Sequence, residues 1–288
     1  MKTKLNVIDG KHYEAVLRIQ KELRIYKSKI ENTDLIVERS RFMKLMEELI
    51  AYIYGLINKN NQEVFKYFKH SSFFQENKVF FSRVNCYYAR VLETIEAIDL
   101  ISQGNHKKNK FGKDLFINEY PKILFEKSTR ELKELGIDKK QFQEFVILET
   151  GSLPVTILAY FVATKIPKII GVDSNQEAIY MAGEITRNMN KKEQRISYSH
   201  FSPLDYNYSK ADIVYIPSYA RNKRKILDRI AKTAKDGVMV LCRTPVQFGE
   251  LLLDSAEVGL NPRFFKECEI KMQKPFLDKL LVLSTLDF

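Results

Sequence analysis

Phe145-Val-Ile-Leu-Glu-Thr-Gly-Ser-Leu-Pro-Val-Thr156 decides the fold. Its first four residues are continuously apolar and then stop at Glu149-Thr-Gly-Ser152, a polar turn with a glycine at its centre. Pro154 follows, a residue suited to the first turn of a helix, and an apolar stretch runs on to Lys165. A short apolar run closed by turn residues reads as a buried strand, so the segment predicts strand, tight turn, helix.

The same unit repeats downstream. Lys168-Ile-Ile-Gly-Val-Asp173 reads as a second strand, Gln176 to Met189 as a helix, and Arg195 to His200 as a third strand. Asp212 to Ile216 is a fourth strand, Lys223 to Lys235 a helix, and Asp236-Gly237 a turn into the strand Val238 to Arg243. Phe264 to Met272 and Leu280 to Leu286, around Lys274-Pro275, predict a closing antiparallel hairpin. Strands alternating with helices make a doubly wound, mostly parallel sheet, so residues 141–288 are expected to form a Rossmann-like α/β domain.

Upstream, the period changes from that of strands to that of helices. His12 to Ile30, Arg41 to Ile57, Asn61 to Lys69, Ser82 to Ile101 and Tyr120 to Leu135 carry apolar residues at helical spacing. Residues 102–113, rich in Lys and Gly, read as a loop. Residues 1–140 are therefore expected to form an N-terminal α-helical bundle domain. A chain of 288 residues accommodates both parts.

Composition narrows the function classes. Three cysteines without a Cys-x-x-Cys pair give no disulfide framework, and four histidines show no metal-ligand spacing, so no metal site is expected. With no apolar leader and no apolar run near the ~20 residues that span a bilayer, a cytoplasmic protein without a membrane partner is expected. The net charge of +11 attracts polyanions, but its basic runs are short and free of interleaved aromatics. A lysine-rich solvated surface accounts for it better than nucleic-acid binding does.

Open α/β sheets bind ligands beyond the carboxyl ends of their strands. Glu149, Thr150, Gly151, Ser152 and Pro154 lie there after the first strand, and Asp173 with Ser174 after the second. The interval from Gly151 to Asp173 is that at which an acid reaches the ribose hydroxyls of a bound nucleoside. Phe201 and Ser202 follow the third strand, where an adenine could stack, and Pro217, Ser218 and Tyr219 follow the fourth. An ordinary tight turn, with Asp173 capping the next helix from Ser174, would use the same residues. Arg243 closes an apolar strand; a guanidinium there needs an anion, either a substrate carboxylate or an internal acid. Glu93 shares a helix face with Arg90 and Glu96, a pattern equally at home on a solvated surface.

Val146-Ile-Leu-Glu-Thr-Gly-Ser-Leu-Pro-Val-Thr156 resembles the loop of nicotianamine synthases and their bacterial relatives, the staphylopine-type opine metallophore aminobutanoyltransferases, roughly Gly-Ser-Gly-x-x-Pro-x-Thr. The resemblance extends through Gly171-Val-Asp173, Asp212 to Ile216 and Gly237 to Arg243. Glu93-Thr-Ile-Glu-Ala-Ile98 is similar to the helix that carries the family's catalytic glutamate, and Tyr120 matches an aromatic position. Glu149 departs from the pattern, standing where the family has its first glycine.

The resemblance implies S-adenosylmethionine as co-substrate, transfer of its aminobutanoyl chain to the amine of an amino acid (histidine first), and release of methylthioadenosine. It implies Glu93 and Tyr120 as catalytic, Tyr219 and Arg243 as substrate-binding, and a homodimer. The same nucleoside site would also serve a small-molecule methyltransferase, or a cyclase that closes the donor on itself to azetidine-2-carboxylate.

Overall fold

The computed structural model describes residues 10–35, 37–58, 61–102, 116, 119–137, 141–189, 195–256, 260–271 and 278–286. The chain builds two compact units. One gathers the described residues up to Tyr88 with Pro245–Asp254, and the other gathers Ala89–Thr244, Ser255–Lys271 and the residues from Lys279 on.

The first unit is helical. α1 (Gly10–Glu31), α2 (Arg39–Asn58), α3 (Gln62–Lys69) and the first half of α4 (Ser72–Ser102) bury Leu23, Phe42, Met46, Leu49, Ile53, Phe68 and Phe81. The 3₁₀ turn Gln247–Leu251, which the sequence did not announce, belongs to this unit and packs Phe248 edge-on to Phe65 and tilted on Phe68. α4 begins ten residues before the expected Ser82. The Ser71 hydroxyl accepts the Phe74 N–H at 3.3 Å and so caps the helix, a signal that the surrounding run of phenylalanines obscures.

The second unit holds a seven-stranded sheet of order β3-β2-β1-β4-β5-β7-β6. Its strands are β1 (Glu144–Leu148), β2 (Lys168–Asp173), β3 (Ile196–His200), β4 (Ile213–Ile216), β5 (Met239–Pro245), β6 (Phe264–Lys271) and β7 (Asp278–Thr285). β1 to β5 run parallel, and β6 pairs antiparallel with β7. The mixed α/β architecture with a Rossmann-like sheet is therefore the one expected. β1 and β4 are buried along their whole length, as strands covered on both faces must be, which is why they read as unbroken apolar runs.

Helices α5 (Glu119–Glu134), α6 (Val155–Ala163), α7 (Gln176–Met189) and α8 (Lys223–Thr233) complete the unit. Gly171 in β2 sets how closely α6 and β3 approach. A Cβ there would meet the Ile157 Cδ1 and the Tyr198 ring, each at 2.7 Å. The Arg195 guanidinium donates to the carbonyls of Thr164 and Phe161 at the end of α6, the usual use of a cation at a helix C-terminus.

The change from helices to strands falls between Glu134 and Glu144, whereas the packing boundary runs through α4 and places Glu93 in the sheet-bearing unit. Most of the loop expected at 102–113, and the turn at Lys274-Pro275, lie outside the described residues. Among the described residues, no helix is long and apolar enough to cross a membrane.

Candidate functional site

The strand order runs outward from β1 to β2 and β3 on one side, and to β4 and β5 on the other. The two directions part between β1 and β4, and such a switch point opens a crevice beyond the carboxyl ends of the strands. The loop after β1 stands there.

Three ties hold this loop to β2. The Thr150 hydroxyl reaches the Ile147 and Val172 carbonyls at 3.2 and 3.3 Å, and its N–H donates to Val172 at 3.4 Å. The Gly151 N–H donates to one carboxylate oxygen of Asp173 at 2.9 Å, while the other oxygen accepts the Asn175 N–H at 2.8 Å. Asp173 is thus fixed in orientation, and the cap of α7 is Asn175 rather than Asp173: its side-chain oxygen accepts the Glu177 N–H at 3.0 Å.

Gly151 has φ +69°, in the left-handed region. Space demands glycine as well: a Cβ would land on the Glu93 carboxylate, with its Oε2 inside any allowed separation and its Cδ at 3.1 Å. Glu93 therefore lies on the loop and not in open solvent. One residue along α4, the Thr94 hydroxyl meets that of buried Ser152 at 3.4 Å. The Glu93 carboxyl has no hydrogen bond among the described residues. Burial first, and then the Asp173 carboxylate, push it up to about 8 against the pull of Arg90.

Glu149 is half-buried and also left-handed, at φ +45°. That backbone costs a non-glycine residue about 1–2 kcal/mol. Burial and Asp173 raise its carboxyl to about 7, with Arg90 and Arg221 opposing. Two carboxylates thus converge on Asp173, and the guanidiniums of Arg90 and Arg221 sit within electrostatic range.

The remaining expected residues fall around this centre or away from it. The Ser174 carbonyl meets His200 Nε2 at 3.1 Å. Phe201 is 53% exposed, with its ring edge-on to Tyr206 beyond β3. Ser202 turns the chain inward, its carbonyl accepting the Asp205 N–H. After β4, Pro217 accepts the Ala220 N–H, and Ser218 accepts the ammonium of buried Lys223 at 2.8 Å. Tyr219 is half-buried in that loop. Pro154 is buried at the N-cap of α6 and leaves that helix end without a side-chain cap. Tyr120 stands in the first turn of α5, and its side chain lies outside the described part of the structure.

Of the two anions open to Arg243, the structure supplies the internal one. Arg243 is 2% exposed and its guanidinium pairs with Glu131 of α5 at 2.8 Å, with a further hydrogen bond to the Tyr215 hydroxyl. The anion that a buried guanidinium requires comes from the chain itself, so a substrate carboxylate is not needed to neutralise it. Glu131 lies 112 residues away in sequence, and no local pattern marks it. Sequence reasoning also missed Arg221 and Lys223. A cation at position 223, one residue into a helix, reads as solvated, yet here it is buried and ties down the β4 loop.

No family model matches the chain, and no curated protein matches it. Solved structures do. A glutamate-to-glutamine variant of the nicotianamine synthase MtNAS, in complex with S-adenosylmethionine, superposes with a TM-score of 0.70 at 12% identity, covering 93% of this chain and 98% of that one. MtNAS in complex with MTA and tNA superposes at 0.69 and 12% identity, covering 96% and 98%. The likeness spans both units and is one of fold.

Proposed function

We propose that the protein transfers the aminobutanoyl group of S-adenosylmethionine to the amine of an amino acid, histidine first, and releases methylthioadenosine. The product would be a nicotianamine- or staphylopine-like metallophore precursor. The observation that carries this reading is the Glu93 carboxyl held against Gly151 in the switch-point loop.

The residues present suit such a donor. Gly151 brings bare backbone to the crevice, and the uncapped end of α6 offers N–H groups to a carboxylate. Asp173 lies where ribose hydroxyls would come, each of its oxygens retaining a lone pair beyond the backbone N–H it already accepts. Phe201 offers an exposed ring to adenine. That MtNAS is seen with S-adenosylmethionine and with MTA supports the same ligands here.

Chemistry then needs a base and an approach. Glu93 takes the proton of the acceptor ammonium and frees its lone pair; a carboxyl near 8 is matched to that task at neutral pH. The acceptor nitrogen bonds to Cγ of the methionyl chain as the Cγ–S bond breaks, and the electron pair goes to sulfur. A cationic sulfonium becomes a neutral thioether, the product nitrogen remains a secondary ammonium, and Glu93 passes the proton it took to solvent. Holding nitrogen ~3–3.5 Å from Cγ, in line with sulfur, selects this carbon over the methyl.

Glu93→Gln tests the reading: it should bind S-adenosylmethionine yet lose at least about 100-fold in methylthioadenosine release. Unchanged turnover would remove Glu93 from the chemistry.

A further inference from the structure

We propose that Glu149 is the residue by which this site reads the charge of its nucleoside ligand, retaining the sulfonium donor and discharging the neutral thioether nucleoside. The inference rests on the function proposed above and assigns a role to the position where this chain puts a carboxylate in left-handed backbone.

Three acids lie at this loop, and one of them is tied down by hydrogen bonds. Asp173 spends an oxygen on each of two backbone N–H groups, Gly151 and Asn175. Glu93 is set over Gly151. Glu149 is half-buried, and among the described residues its carboxylate has no hydrogen bond or ion pair. The charged and titratable groups within electrostatic range of it are Asp173 from β2, Arg90 from α4, Arg221 from the loop after β4 and Tyr208 from the segment before β4. Glycine would adopt the φ of +45° freely. A glutamate there adds nothing to the turn, so its contribution is its charge.

With all three acids ionised, Glu93, Glu149 and Asp173 exceed Arg90 and Arg221 by one negative charge. The donor carries a sulfonium, an ammonium and a carboxylate, and so a net positive charge; methylthioadenosine carries none. Binding the donor therefore completes the charge balance, and transfer undoes it. Glu93 and Glu149 must both ionise to complete this count, so donor binding near pH 7 expels protons, part of them from Glu149, and tightens as pH rises from 6 to 8.

Calorimetric titration of the full-length protein with S-adenosylmethionine and with methylthioadenosine, at pH 8, tests this. Glu149→Gln removes the charge and keeps the shape; Glu149→Gly also relaxes the backbone, so a fold defect in one variant leaves the other informative. Both should weaken S-adenosylmethionine about tenfold while methylthioadenosine stays within about twofold. Titrations at pH 7 in buffers of different ionisation enthalpy should show proton release on donor binding that both variants diminish. An unchanged preference between the two ligands, or an equal loss of both, would overturn the role of Glu149. Binding of neither ligand by the wild-type protein would overturn the proposed function itself, and this inference with it.

Discussion

The carboxylate of Glu93 and the α-carbon of Gly151 are packed so closely that no side chain fits between them. A residue of a long helix and the middle of a strand-end loop thus define one wall of the crevice. The glycine is required twice over, by this contact and by its left-handed φ.

Gly151→Ala should therefore act at the site more than on the fold. The new methyl group must displace the Glu93 carboxylate and strain the backbone by about 1–2 kcal/mol. We expect at least about tenfold weaker binding of S-adenosylmethionine, with a melting temperature lowered by only a few degrees. Wild-type affinity measured by calorimetry would refute the contact.

The carboxyls of Glu93 and Glu149 are raised in the folded protein, to about 8 and about 7. Raised acids favour the folded state while protonated. Their contribution is fully present below the unfolded value near 4.3 and is lost as pH climbs through 7 and 8. Glu93→Gln carries no such burden and should melt about 2–6 °C above wild type at pH 8.5 but level with it at pH 5. Melting curves that keep the same separation at both pH values would contradict the shift.

Arg243 and Glu131 should behave as a structural pair. Arg243→Met removes one member of this buried pair, and such a break costs about 3–5 kcal/mol. Adding Glu131→Leu in the same chain should recover most of that loss. Denaturant unfolding of the two variants reads this directly. Full stability in Arg243→Met, together with a lost acceptor affinity, would return Arg243 to the substrate.

Asp173→Asn places an amide where two backbone N–H groups seek acceptors. One of them is left facing a donor, a loss of about 1–3 kcal/mol. Removing this negative charge should also lower the carboxyls of Glu93 and Glu149 together, which carboxylate-resolved NMR titration would reveal. Unmoved titrations would separate Asp173 from the cluster.

Much of the sheet-bearing unit was legible in the sequence because β1, β2 and β4 are buried strands and advertise themselves as apolar runs between turns. Their lateral order was not legible, since pairing β1 with both β2 and β4 is settled by long-range packing. At the site, Gly151 and Asp173 could be singled out from their interval, but the geometry binding them together could not. The helix periodicity put Glu93 and Arg90 on one face without saying what that face meets. The Glu149 position was the least readable: glycine is the residue that announces a left-handed turn, and this chain withholds it.

The most direct test of aminobutanoyl transfer follows two labels through one reaction. S-adenosylmethionine bearing one isotope in its methyl group and another in its carboxyl carbon is incubated with the protein and a pool of amino acids that includes histidine. We predict that the carboxyl label moves to the amino acid while the methyl label stays on methylthioadenosine. A methyl label on the acceptor, with S-adenosylhomocysteine as the nucleoside product, would contradict the account.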